Sequence, residues 1–291
     1  MSRALGVGMA KHRTSSPTKR SNWFHERMID GGAAAFRAFE RFLEPRSIHG
    51  NPNIFPPGTF SWEATLEDNV GTIQRELFTL MQHLDELPSF HQISKDQWRL
   101  DTDDKWKTFF LYAYGDKAQK NCARCPETTR LVEAIPGMKT ALFSILGPGK
   151  HIPMHRGPFK GVIRYMLGLV VPEPRERCRI QIGDDTVSWE VGKSLVFDDT
   201  SPHEVWNDTD GFRAVLFLDV VRPLREPART LNAGLLELIR LSPFVQDGVR
   251  TNRKWEDKLE ALFDRARASD DCSAVASGDA SLAGNALVAG L

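Results

Sequence analysis

Apolar positions along the chain change their period twice. From Trp23 to Phe42, Phe24, Met28, Phe36, Phe39 and Phe42 recur at helical spacing, and Pro45 lies just beyond. Asn51 to Gly58 is rich in Pro and Gly and reads as a loop. The spacing of Val70, Ile73, Leu77, Leu80 and Leu84 predicts a helix over 67–84, and Thr128 to Ile135 a third, opened by Pro126 and stopped before Pro136. At Met138 the pattern switches. Thr140–Leu146, Gly161–Val171, Arg179–Ile182, Thr186–Val191, Lys193–Phe197 and Phe212–Val221 read as short strands parted by Gly, Pro and Asp turns. Six strands without intervening helices point to a barrel or jelly roll rather than a parallel sheet. After Pro223 helical stripes return, Leu231, Leu235, Leu238 and Ile239 first, then Trp255, Leu259 and Leu262.

This pattern divides the chain into five stretches. Residues 1–20 hold five basic residues and no acid and are expected to be disordered. Residues 21–137 form a helical N-terminal part, 138–225 the β-core, 226–266 C-terminal helices, and 267–291 a disordered tail rich in Ala, Gly, Ser and Asp. No repeat at solenoid spacing is visible.

Charge excludes more than it identifies. Lys+Arg and Asp+Glu are both 38, so nothing marks a nucleic-acid partner or an anionic surface. No run of 18 apolar residues argues for stable membrane insertion, and no signal-peptide core is apparent, so the expectation is a soluble, cytoplasmic protein. Cys122 and Cys125 form a single CxxC, at best half a zinc site, and a structural role is the better reading.

Two of the eight histidines sit in strand-like surroundings. His155 follows the extended Ile152-Pro153-Met154, and His203 ends a strand and turn running from Asp198. At 48 positions apart they cannot form a local helical site, but they suit two strands meeting at a barrel mouth. Imidazole suits Fe, Zn, Cu or Ni, so the pair does not name its metal. His151 is four residues from His155, about 13 Å along an extended strand, and is set aside. Arg213 and Arg164 lie in strands that are apolar on both faces. A buried unpaired cation costs several kcal/mol, so each needs an anion. Asp219 is on the strand of Arg213 but about 20 Å away. Two readings remain: a bound dicarboxylate gripped by both guanidinium forks, or ion pairs to Glu190, Asp198 or Asp199.

The ordered set His151-Ile-Pro-Met-His155-Arg-Gly-Pro158, Arg164-Tyr-Met-Leu-Gly-Leu169, Trp189-Glu-Val-Gly-Lys193, Phe197-Asp-Asp199, His203-Glu-Val-Trp206, Phe212-Arg213 and Asp219-Val resembles the aspartyl/asparaginyl β-hydroxylase family of oxygenases. Upstream, Trp106–Tyr112 and Asn121–Pro126 resemble its bacterial members; the likeness spans roughly 60–225. The resemblance implies a mainly β fold with flanking helices around a double-stranded β-helix (jelly-roll, cupin-like) core. It implies Fe(II) held by His155 and His203, with Gly157 where many iron sites carry a carboxylate. It implies 2-oxoglutarate as cosubstrate, its distal carboxylate on Arg213 and Ser144 and its inner carboxylate near Arg164. At Met166 the family often has a cosubstrate-contacting histidine; here that contact becomes apolar.

The function implied is hydroxylation of an unactivated carbon using molecular oxygen. The substrate would be a small molecule or peptide, foremost the β-carbon of an aspartyl, asparaginyl or related amino acid. The alternatives are an acyl chain of lipid A, whose branch usually carries an N-terminal anchor not apparent here, a non-catalytic ligand-binding protein, and a zinc hydrolase of cupin type. Trp189, Trp206 and Tyr165 are candidate pocket walls, with core packing the better reading for two of them.

Overall fold

The computed structural model describes residues 36–94 and 99–282, with side chains to residue 265. The chain divides into two units, 1–42 and 43–291. The 1–20 segment, and most of the helix expected over 23–42, lie outside the described residues; 36–43 is helical (α1).

In the larger unit, α2 (Glu63–Asp68) and α3 (Val70–Met81) replace the single helix expected over 67–84, with Asn69 at the break. The stripe survives the break, and Ile73, Leu77 and Leu80 are buried. Burying such side chains stabilises by about 1.5–3 kcal/mol each. Then come α4 (Phe90–Ile93), β1 (Trp106–Ala113), β2 (Asp116–Lys117), α5 (Gln119–Arg124) and α6 (Pro126–Glu133). The stretch 21–137, expected to be a helical part with a loop, therefore also supplies two strands. β1 is buried on both faces, so it shows no alternation and leaves no period-two signal. Cys122 and Cys125 are buried free thiols, their pKa values pushed up by burial.

β3 (Met138–Leu146), β4 (Lys150–His155), β5 (Val162–Val170), β6 (Cys178–Ile182), β7 (Asp185–Ser188), β8 (Ser194–Phe197), β9 (His203–Asn207) and β10 (Arg213–Val221) follow. They form two antiparallel sheets, β2-β1-β3-β10-β5-β8 and β4-β9-β6-β7. This is a double-stranded β-helix with flanking helices. β6 and β7 turn through Gly183-Asp184, where Gly183 has φ +59°, a left-handed value that glycine adopts without strain. The larger sheet has two buried faces. Phe109, Phe143, Tyr165, Leu167 and Leu216 pack outward under helical Leu66, Ile73 and Leu77. Phe110, Leu142, Met166, Val215 and Phe217 face inward against Ile152, Ile180 and Val205 of the smaller sheet.

The chain ends in α7 (Ala228–Arg240) and α8 (Pro243–Leu282). The helix thus covers 267–282, which the composition assigned to a disordered tail; the rest of that tail lies outside the described residues. Its Ser, Gly and Asp lowered the expectation of order, but four alanines and no proline in 267–282 leave nothing that must stop a helix already propagating. Among the described residues no helix is long and apolar enough to cross a membrane.

Candidate metal and carboxylate site

β4 and β9 pair so that His155 is the register partner of His203. His203 opens β9 rather than ending a strand, because the turn 198–201 precedes it. The ring centroids are 4.1 Å apart. His155 Nδ1 lies 2.8 Å from the Pro153 carbonyl and His203 Nδ1 2.9 Å from the Ser201 carbonyl. A carbonyl only accepts, so both Nδ1 atoms carry the proton and both Nε2 lone pairs are left for a metal. Burial lowers both pKa values, that of His203 to about 3 with help from His155 and Arg164. Neutral imidazoles are the ligating form. The donor set therefore fits a divalent metal of the Fe, Zn, Cu or Ni kind.

The turn before His203 divides two neighbouring acids between two tasks. Asp198 accepts from Thr200 N and Oγ1 at 3.0 and 2.6 Å and pairs with Lys160 and Arg222, each at 2.8 Å. It holds the turn, and its pKa is lowered despite burial by Arg222, Lys160 and Thr200. Asp199 faces the histidines, with Oδ1 3.6 Å from His203 Nε2. A Cβ on Gly157 would lie 1.7 Å from Asp199 Oδ2. Gly157 is bare because the carboxylate of Asp199 fills the room a side chain there would need. Among the described residues no group of three or more His, Cys, Asp or Glu forms a ready metal cage.

At Arg164 the ion-pair alternative holds, with Asp199 as expected and Asp219 in addition. The β5–β10 register sets it opposite Asp219, which both Nε and Nη2 reach at 3.1 Å, and Nη1 pairs closely with Asp199. Asp219, excluded as a partner for Arg213, is a partner for Arg164. Its charge is thus balanced within the protein, and no bound dicarboxylate is needed to explain it. Burial raises the Asp199 pKa, an effect partly offset by Arg164.

Arg213 differs. It is 1% exposed, and Nε and Nη1 have no hydrogen-bond partner. Its guanidinium lies 4.8 Å over the Trp189 ring, whose Nε1 is also buried and unpartnered. Burial lowers its pKa to about 10, with Cys178 the only group opposing that. Ser144 pairs with Val215, two residues along from Arg213, so the two are diagonal neighbours on the inward face. Trp106 Nε1 donates to Ser144 Oγ at 2.9 Å, which leaves the Ser144 hydroxyl hydrogen for another acceptor. Buried orphan donors beside a free hydroxyl fit a carboxylate. Met166 lies between Phe217 and Leu195 on the same face, part of the apolar wall.

Of the aromatic candidates, Trp189 packs against Arg213 within the core between the sheets. Tyr165 packs on the outward face beside Trp62 and pairs with Ser194, and Trp206 stacks on His151. Sequence reasoning missed the roles of Trp106 and Cys178. The parity of Trp106 within a strand could have found the first; nothing in the sequence places Cys178 beside Arg213.

Two cavities adjoin the site and share Tyr114, Thr140, Arg164 and Asp219. The larger, about 230 Å³, is walled by Phe90, Phe110, Leu142, Phe217, Phe244 and Val249. The smaller, about 80 Å³, reaches Asp199 and is walled by Pro158, Phe159, Val162, Leu236 and Ile239.

A family model described as Aspartyl/Asparaginyl beta-hydroxylase matches residues 67–223. An ornithine lipid ester-linked acyl 2-hydroxylase of Rhizobium tropici is 45% identical over 212 residues, 73% of this chain and 75% of that one. The human aspartyl/asparaginyl beta-hydroxylase is 38% identical over 127 residues, 42% of this chain but 16% of its own length. Human aspartate beta-hydroxylase domain-containing protein 2 is 29% identical, covering 73% of this chain and 61% of that protein.

Proposed function

Because the chain belongs to the aspartyl/asparaginyl β-hydroxylase family, a family of hydroxylases, we propose that it is an Fe(II)- and 2-oxoglutarate-dependent hydroxylase acting on the acyl chain of a lipid. The observation that carries the cosubstrate is Arg213, a buried guanidinium with unpartnered nitrogens on the inward face of the larger sheet, in a protein that also holds a metal-competent histidine pair.

When bound, iron and cosubstrate supply the redox chemistry: one oxygen atom of O2 turns substrate C–H into C–OH, and the other leaves in succinate as 2-oxoglutarate loses CO2. His155 and His203 hold the metal through Nε2. Arg213 and the Ser144 hydroxyl hold the distal carboxylate. Arg164 has five N–H donors; it fixes Asp199 and Asp219 and keeps donors for the carboxylate beside the keto group. Its charge is already balanced, so it positions more than it attracts. Met166, Phe217 and Leu142 keep water from the reacting carbon.

The acyl chain is favoured over an aspartyl substrate by the lining of the larger cavity. An aspartyl carboxylate needs an unbalanced cation; this cavity offers Arg164, already paired, and the acidic Asp219 and Asp247 among apolar walls. The Rhizobium relative, named for 2-hydroxylation of an ester-linked acyl chain, points to the carbon beside the acyl carbonyl.

The test has two parts. Anaerobic addition of Fe(II) and 2-oxoglutarate should produce a metal-to-ligand charge-transfer band, which a zinc hydrolase would lack. Under oxygen, mass spectrometry of acyl lipids, free amino acids and aspartyl peptides should find the gain of one oxygen atom in the lipids. A gain confined to aspartyl peptides would reverse the substrate assignment.

A further inference from the structure

Four of the ten large apolar side chains exposed among the described residues fall within 231–244: Leu231 at 50%, Leu238 at 67%, Leu241 at 61% and Phe244 at 42%. With half-buried Leu235, Leu231 and Leu238 form an outward i, i+4, i+7 stripe on α7, and Leu241 and Phe244 extend it through the turn into α8. Clustering of this kind marks an interaction surface, whereas single exposed leucines do not.

The adjoining face of α7, about 100° round the helix, and the first turns of α8 build the cavities. Leu236 and Ile239 wall the smaller one, and Val245 and Val249 the larger. Phe244 belongs to both sides, exposed in the stripe and part of the larger cavity's lining. An apolar surface is thus continuous from the outside of α7 to the space beside Arg164.

Charge distinguishes the occupant. The whole chain is neutral, but 225–254 holds six basic residues and three acids. Glu226, Glu237 and Asp247 each pair with the arginine three residues on, and Arg253 acts on Glu256, which leaves Arg225 and Lys254 as the local excess. An outward leucine stripe with a basic surplus fits an anionic lipid surface, where apolar burial and headgroup attraction act together. We propose that the α7–α8 turn is an interfacial face: the stripe enters the acyl layer of an anionic membrane, and a lipid chain passes Phe244 into the cavity. This inference rests on the acyl-lipid reading of the site.

The test is co-sedimentation of the full chain with phosphatidylcholine vesicles, with and without phosphatidylglycerol. A double variant, Leu238→Glu with Leu241→Glu, is compared with the parent; neither residue lines a cavity. The parent should bind, more tightly when phosphatidylglycerol is present. The variant should bind at least tenfold less while keeping the parent's thermal midpoint, elution volume and turnover of a dispersed short-chain acyl substrate. Undiminished vesicle binding by the variant, or no binding by the parent, overturns the proposal. A change of oligomeric size in lipid-free solution also overturns it, because the stripe then joins copies of the chain. The two readings fail separately. Stripe-dependent vesicle binding without acyl hydroxylation leaves the interface standing and removes the substrate; acyl turnover in detergent with stripe-independent binding does the reverse.

Discussion

Arg164 and Arg213 both face the space between the sheets, from neighbouring strands, and both are largely or wholly buried. Arg164 meets Asp219 across the β5–β10 register and Asp199 from the turn before His203. Arg213 meets the ring of Trp189 and the thiol of Cys178, and no carboxylate among the described residues. A buried cation with protein partners is part of the structure; one left without them keeps its charge for a ligand. Desolvation acts on both guanidinium groups, and its outcome differs: the Arg164 pKa is raised by its acids, and that of Arg213 falls to about 10. At neutral pH the apo protein therefore carries a cost at Arg213 that an incoming carboxylate would relieve.

The comparison predicts opposite signs for the same substitution. Arg164→Met strands the buried Asp199 and the half-buried Asp219, so the apo protein should lose about 3 kcal/mol of stability in urea unfolding. A loss below 1 kcal/mol would show the ion pairs to be dispensable. The paired side can also be attacked without touching its arginine. Gly157→Ala forces a methyl against Asp199, and overpacking of this kind costs about 1–3 kcal/mol. Combined with Asp199→Ala it should cost clearly less than the sum of the two single changes, because the clash has gone. Additive costs would mean that Asp199 is not what Gly157 makes room for.

On the unpaired side, Arg213→Met should stabilise the apo protein, by about 1–2 kcal/mol, because it removes a buried charge that meets no carboxylate among the described residues. Destabilisation would show an internal partner. The smallest effect is expected from acid, at the turn that delivers Asp199. Asp198 has its folded pKa below the usual carboxylate value, so its contribution is fully present above the unfolded pKa, near 4. It is lost as pH falls through the folded value. Stability measured from pH 5 downward should therefore fall less steeply in Asp198→Asn than in the parent; equal slopes would contradict the assignment.

Periodicity carried the β-core, because strands such as β6 alternate between buried and half-buried positions. It did not carry β1, covered on both faces, or the short β4 and β9, whose pairing creates the histidine site. His155, His203 and the two arginines were visible as polar residues in apolar or extended surroundings. Their partners were not. That Asp219 lies beside Arg164 is a property of cross-strand register, which the spacing within one strand cannot state. Nor could the sequence show that Asp199 fills the room beside Gly157, since 42 residues separate them.

Arg213 has no carboxylate partner among the described residues, and in the proposed function that place belongs to the distal carboxylate of 2-oxoglutarate. Anaerobic calorimetric titration of 2-oxoglutarate into the Fe(II)-loaded protein tests it directly, with the parent and Arg213→Met side by side. The variant should lose affinity by about a hundredfold or more, since a charge-assisted bidentate contact to a buried carboxylate is worth about 3 kcal/mol. Equal affinity in the two proteins, with iron bound equally well, would contradict it.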